Sequence, residues 1–153
     1  MSLHKPSLTE QITVDPTRPR VVAECATLID EEVKSKGGLG GVAIRGAYAT
    51  IKAIKRGFVP DVVDALLNDW VGQLEPYYDR WRNGGGPTFS DYVTARSEDV
   101  AEDLLKVTDE RAARTKHTTA RKAYERMRNG AKKHVAAAVP RLGKLLERHL
   151  QPS

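Results

Sequence analysis

GFVPDVVDALLNDWVGQLEPYYDRW, residues 57–81, is the stretch that decides the fold. Val63, Leu67, Trp70, Leu74, Tyr77 and Trp81 recur at alternating steps of four and three, one continuous face of an α-helix. The stretch holds both tryptophans and two of the five tyrosines, so it reads as the spine on which the other helices pack. Pro60 and Asp61 suit a first turn, where a missing N–H does no harm and a carboxylate meets the positive helix end. Pro76 falls inside the stripe, removes one backbone hydrogen bond and presses on the carbonyl of Gly72. The stripe keeps phase across it, which predicts a kinked central helix at about 60–82, with Gly72 giving the ring room.

Working outward, the preceding block GGLGGVAIRGAYATIKAIKRG, residues 37–57, steps Ile44, Tyr48, Ile51 and Ile54 at helical spacing. Gly40, Ala43, Ala47 and Thr50 form a small-residue stripe beside it. Each interior glycine costs roughly 1 kcal/mol relative to alanine. That expense suggests a close crossing, expected here against the Trp70 helix. Upstream, a helix at about 19–36 would bury Val22, Cys25, Ile29 and Val33, with Thr17 as its cap. Ser7 and Glu10 have capping-box form around one short turn in an N-terminal arm, residues 1–17.

Downstream, Asn83 and Gly84-Gly85-Gly86-Pro87 form a loop. Thr88 can cap a helix bearing Phe89, Tyr92 and Val93; Ser97 can cap another with Val100, Leu104 and Val107 inside. The apolar period fades over 109–122, leaving helix and loop both open. Asn129-Gly130 stops the next segment, and Val135, Val139, Leu142, Leu146 and Leu150 mark a last helix at about 131–150 that Pro140 kinks or restarts. No stretch alternates as a strand would. The expected fold is all-α, a single-domain bundle of five to seven helices spanning residues 1–153, with a basic C-terminal helical region at 111–153.

The block from Gly37 to Trp81, with its glycine-rich helix, GFVP turn and tryptophan-bearing helix, resembles a family of small bacterial all-helical proteins known only as a domain of unknown function. The LTEQI start fits as well. The resemblance implies a single helical domain of bacterial origin and carries no activity, ligand or site residue.

Composition narrows the function classes. At 153 residues, 40% hydrophobic and 29% charged, the chain suits one globular core. Its single cysteine precludes an internal disulfide, and no signal-like or membrane-spanning run is visible, so a cytoplasmic location is expected. Gly37-Gly38-Leu39-Gly40-Gly41 lacks the Lys-Ser/Thr of a P-loop and the preceding strand of a dinucleotide fold. His4, His117, His134 and His149 have no zinc-helix spacing. The acidic pairs Glu98/Glu102, Asp99/Asp103 and Asp61/Asp64 fall opposite the apolar faces, and Cys25 falls on one. No catalytic residue, metal or cofactor is therefore expected, nor does any motif call for a small molecule; only a cavity would reveal one.

Two binding features remain. Residues 1–110 carry 13 Lys and Arg against 18 Asp and Glu, while residues 111–153 carry 12 against 2. The basic run Arg111, Arg114, Lys116, Arg121, Lys122, Arg126, Arg128, Lys132 and Lys133 has the density needed to neutralise nucleic-acid phosphates, or to face the acidic half on folding. The end of the central helix offers Tyr78, Trp81 and Arg82 beside the glycine loop, an aromatic and arginine group suited to a protein partner. Tyr78 lies off the main stripe and is expected to be exposed. The preferred expectation is a non-enzymatic protein acting through protein–protein contacts, as a homo-oligomer or with another chain. The second is nucleic-acid binding through 111–133, and a membrane-surface role for Leu39–Val59 ranks below both.

Overall fold

The computed structural model describes residues 5–151, apart from the side chains of 38–40. His4 and the surroundings of Gly40 thus lie outside the described residues. Among those described there are eight helices and no strand: α1 (Leu8–Ile12), α2 (Thr17–Lys34), α3 (Gly38–Lys52), α4 (Phe58–Arg82), α5 (Phe89–Thr94), α6 (Ser97–Arg114), α7 (Thr118–Arg128) and α8 (Ala131–Glu147). The count exceeds the expected five to seven partly because 109–122 divides. Thr115 turns extended, and its hydroxyl accepts the amide of His117 at 3.2 Å, which ends α6 and leaves α7 to start afresh.

Several local signals act as their chemistry dictates. Ser7 and Glu10 form the reciprocal capping box of α1. Thr88 accepts the amide of Asp91 at 3.0 Å and caps α5. Gly57 (φ 76°) and Gly130 (φ 86°) take the left-handed conformation at the α3–α4 and α7–α8 junctions, where a side chain would be strained. Thr17 and Ser97, expected as caps, are instead the first helical residues and cap nothing.

The central helix α4 runs unbroken through Pro76 to Arg82. Pro76 and Gly72 are both exposed, so the lost hydrogen bond falls on the side of the helix that faces solvent. A Cβ on Gly72 would meet nothing within 4 Å, so the room attributed to that glycine is not needed. The buried face is wider than the expected stripe, taking in Leu66, Val71 and Tyr78 as well. Val63, Leu67, Val71, Leu74 and Tyr78 are its most enclosed line, with Tyr77 beside it, whereas Trp70 and Trp81 sit at its edges. The indoles need partners for their N–H groups and find them at the margin. Trp70 Nε1 donates to Leu104 O at 3.2 Å, and Trp81 Nε1 to Gly86 O at 3.1 Å. On α2 the buried positions are Val21, Leu28 and Val33, with Val22 and Cys25 only packed against the core.

Helix α3 packs chiefly along α7, not across the Trp70 helix as expected. On α3 a Cβ at Gly41 would meet the Lys36 carbonyl in the preceding turn rather than the Trp70 helix, and the helix–helix contact that requires a glycine is at Gly143 on α8. A Cβ there would stand 2.9 Å from Val93 Cγ2 and 3.1 Å from Ser90 Cα, so α5 and α8 touch nearly backbone to backbone. The charge asymmetry is partly settled by the same helix. Arg141 pairs with Glu31 (2.5 Å) and Glu32 (3.2 Å), and Arg148 and His149 pair with Glu24 (3.2 and 2.9 Å), tying α8 to α2. Among the described residues no helix is long and apolar enough to cross a membrane.

Candidate functional site

The α3–α7 pair lies over α4 and α6 without filling the space beneath. A cavity of about 340 Å³ remains there. Its walls carry Ile51 from α3, Phe58, Val62 and Leu66 from α4, Ala112 from α6 and Met127 from α7. Helix α4 can line it because Val59, Val62 and Leu66 form a second apolar row, at steps of three and four, beside the row facing the main core.

Charged groups border this cavity. Lys55 pairs with Asp61 at 3.2 Å, and Asp61 is the only carboxylate among the bordering residues. Arg111 and Arg121 also border it, and among the described residues neither has a carboxylate partner. His117 stands edge-on to Phe58, ring centres 5.6 Å apart at 83°.

The outer wall is anchored by charge. Asp30 of α2 takes Lys52 of α3 at 2.8 Å and Lys34 at 2.9 Å. Hydrogen bonds from these two ammonium groups bring its carboxyl down to about 2. Burial, with the negative Asp30 nearby, pushes the Tyr48 hydroxyl up to about 12, so Tyr48 is a neutral wall residue. Tyr124 is held likewise: its hydroxyl donates to Asp109 Oδ1 at 2.6 Å, and Arg128 Nε donates to the same oxygen at 2.8 Å. Burial raises the Tyr124 hydroxyl. The same burial opposes ionisation of Asp109, yet the bonds from Arg128 and Tyr124 keep that carboxyl below its usual range.

A second cavity of about 270 Å³ adjoins the first, among Val33, Ile44, Leu105, Val135, Val139 and Leu142. Ile29, Thr108, Tyr124 and Met127 border both.

The nine basic positions singled out from the sequence do not form one surface. Arg111 and Arg121 turn to the first cavity. Lys122 and Arg126 lie with Thr119 and Glu125 on the far side of α7. Arg128 pairs with Asp109 and Lys132 with Glu102 at 3.2 Å, while Arg114, Lys116 and Lys133 are exposed without a carboxylate partner among the described residues.

At the end of α4 the expected exposure of Tyr78 is overturned: the residue is 4% exposed. Its hydroxyl accepts from Gln11 Nε2 at 2.8 Å, its ring meets Phe89 edge-on at 5.6 Å, and the Arg82 guanidinium covers it at 4.7 Å. Arg82 also donates to Pro6 O at 2.9 Å, and Trp81 closes the glycine loop. The trio fastens the N-terminal arm and the loop. Reading one apolar face per helix hid the cavity; the extra row Val59, Val62, Leu66 was the signal available.

Among known proteins, a family model described as a family of unknown function, DUF6918, matches residues 8–150. No curated protein and no solved structure matches the chain.

Proposed function

The chain belongs to the DUF6918 family of unknown function, and since membership brings no activity with it, we propose from its own geometry that it is a binding protein for a small apolar ligand. The observation that supports this is the cavity of about 340 Å³ under α3 and α7. Ligand sites run from roughly 300 to 1,000 Å³, mostly apolar with a few convergent polar groups. Ile51, Phe58, Val62 and Leu66 supply the apolar wall, and Arg111 and Arg121 the polar groups.

The test uses N-phenyl-1-naphthylamine, a neutral dye that brightens in apolar surroundings. Its emission is expected to rise to saturation at one dye per chain, and the bound dye to raise the melting temperature with the logarithm of its excess over Kd. Ala120, half-buried on α7, borders the cavity. Ala120→Phe should fill it and weaken the dye at least about tenfold, near 1.4 kcal/mol. No saturable rise, or full binding by a folded Ala120→Phe variant, removes the reading.

A second reading rests on a separate observation. Seven of the nine basic residues at 111–133 have no carboxylate partner among the described residues: Arg111, Arg114, Lys116, Arg121, Lys122, Arg126 and Lys133. Such cations suit nucleic-acid phosphates. Were all engaged on duplex DNA, log affinity would fall with log salt at a slope near −6, about 0.9 per phosphate. Fluorescence anisotropy of a labelled duplex between low and moderate salt measures it; no binding at low salt eliminates it.

A further inference from the structure

Resting on the cavity reading above, we propose that the ligand is a free single-chain amphiphile with an anionic head, held at Arg111 and Arg121, whose tail passes Met127 into the second cavity.

The head assignment follows from charge. Asp61, the one carboxylate bordering the first cavity, is taken by Lys55 at 3.2 Å, while Arg111 and Arg121 have no acid among the described residues. They approach from different helices, α6 and α7. A guanidinium is always charged, and its planar fork matches the two oxygens of a carboxylate or phosphate. Arg111 is exposed and Arg121 half-buried, so the two cations stand at the open side of an apolar cavity, where they favour an anion over a neutral head. Phe58 and His117, edge-on to each other at 5.6 Å, border the same cavity.

The tail assignment follows from the wall between the cavities. Two of the four residues common to both are Tyr124 and Met127, one turn apart on α7. Tyr124 is pinned by its 2.6 Å bond to Asp109. Met127 has no polar anchor and an unbranched, easily rotated thioether chain, the kind of side chain that yields to a neighbour. A rigid ring system would be stopped at this partition. A straight alkyl chain fits between Tyr124 and a displaced Met127, and beyond it meets Leu105, Val135 and Leu142. The adjoining space then admits more methylenes than the first cavity alone.

The experiment displaces the naphthylamine dye with straight-chain carboxylates of eight to fourteen carbons and with the alcohols of equal length, below their micelle concentrations. Affinity is expected to rise roughly fourfold per methylene, at about 0.8 kcal/mol each, through the whole series. Each carboxylate should bind at least about tenfold tighter than its alcohol at low salt, a 1.4 kcal/mol difference. Arg111→Gln with Arg121→Gln should abolish that preference, while Lys122→Gln with Arg126→Gln, on the far side of α7, should leave it intact. Met127→Ile, stiffer at the partition, should flatten the series at shorter chains.

Equal affinity for acid and alcohol, or a preference that survives the double Arg variant with an unchanged melting temperature, overturns the head assignment. A series that stops rising at the same length in wild type and Met127→Ile overturns the tail assignment. Co-sedimentation with anionic phospholipid vesicles without dye displacement would place the cations on a bilayer and overturn the free amphiphile. Failure of the dye itself to bind the wild-type protein refutes the cavity reading instead, so the two failures are distinguishable.

Discussion

Phe89→Ala is expected to lower the free energy of unfolding by about 3–5 kcal/mol. Phe89 is wholly buried at the start of α5 and meets Tyr78 edge-on at 5.6 Å and Trp81 at 6.0 Å, both on α4. Truncation removes most of a ring from a dry core and leaves a void, because α5 is held on its other side by the near contact of Ser90 and Val93 with Gly143. The short helix has no freedom to collapse inward. Two edge-to-face pairs are lost as well, each roughly 0.5–1.5 kcal/mol beyond area. At roughly 2–4 °C per kcal/mol for a chain of this size, the melting temperature should fall by about 10 °C. Urea unfolding followed by tryptophan fluorescence measures it directly, since Trp81 sits on the site. A loss below about 1 kcal/mol would mean that the aromatic cluster does not join α4 to α5.

The next largest effect is expected at Glu75, where alanine should cost about 2–4 kcal/mol. The Glu75 carboxylate accepts the amide of Leu8 at 2.9 Å on one oxygen; on the other it accepts the amide and hydroxyl of Thr9, each at 2.9 Å. It is the long-range cap of α1, and charge-assisted bonds of this kind contribute roughly 1.5–3 kcal/mol each before overlap is allowed for. Without it two amide donors at the start of α1 lose their partner, and α1 carries Leu8 and Ile12, both 0% exposed. Detaching the helix therefore opens the core. Glu75→Gln keeps an oxygen acceptor and should lose about half as much. Hydrogen exchange at the Leu8 and Thr9 amides should accelerate in step with the stability loss. Unchanged exchange in Glu75→Ala would sever this cap from the stability of α1.

The elements that sequence reading placed well are those written in consecutive residues. Ser7 and Glu10 are three apart, so their capping box needs no tertiary context. Gly57 and Gly130 stop helices because the left-handed turn is a property of the residue itself. The α4 stripe is legible as a helix for the same reason, and Val63, Leu67, Leu74 and Tyr77 are buried as it implies, whereas Trp70 and Trp81 sit at its edges because each keeps an N–H to satisfy. Tyr78 shows the limit: its burial depends on Gln11, 67 residues away, and on Phe89 across the loop. Cys25 fell between, partly buried as its helix face implied, with burial raising its thiol to about 12.

By itself the sequence determined that this chain folds as helices, where most of them begin and end, and that its far end is basic. Periodicity, caps and breakers act over three or four residues, and composition is independent of folding. Only the tertiary structure decided which apolar rows face the core and which face a cavity, since Leu66 and Leu67 are the same residue type on one helix and differ in what lies opposite. It also decided that Arg128 and Lys132 are paired while Arg111 and Arg121, beside that cavity, have no carboxylate partner among the described residues. Those partners come from distant segments, and charge pairing depends on distance in space rather than along the chain.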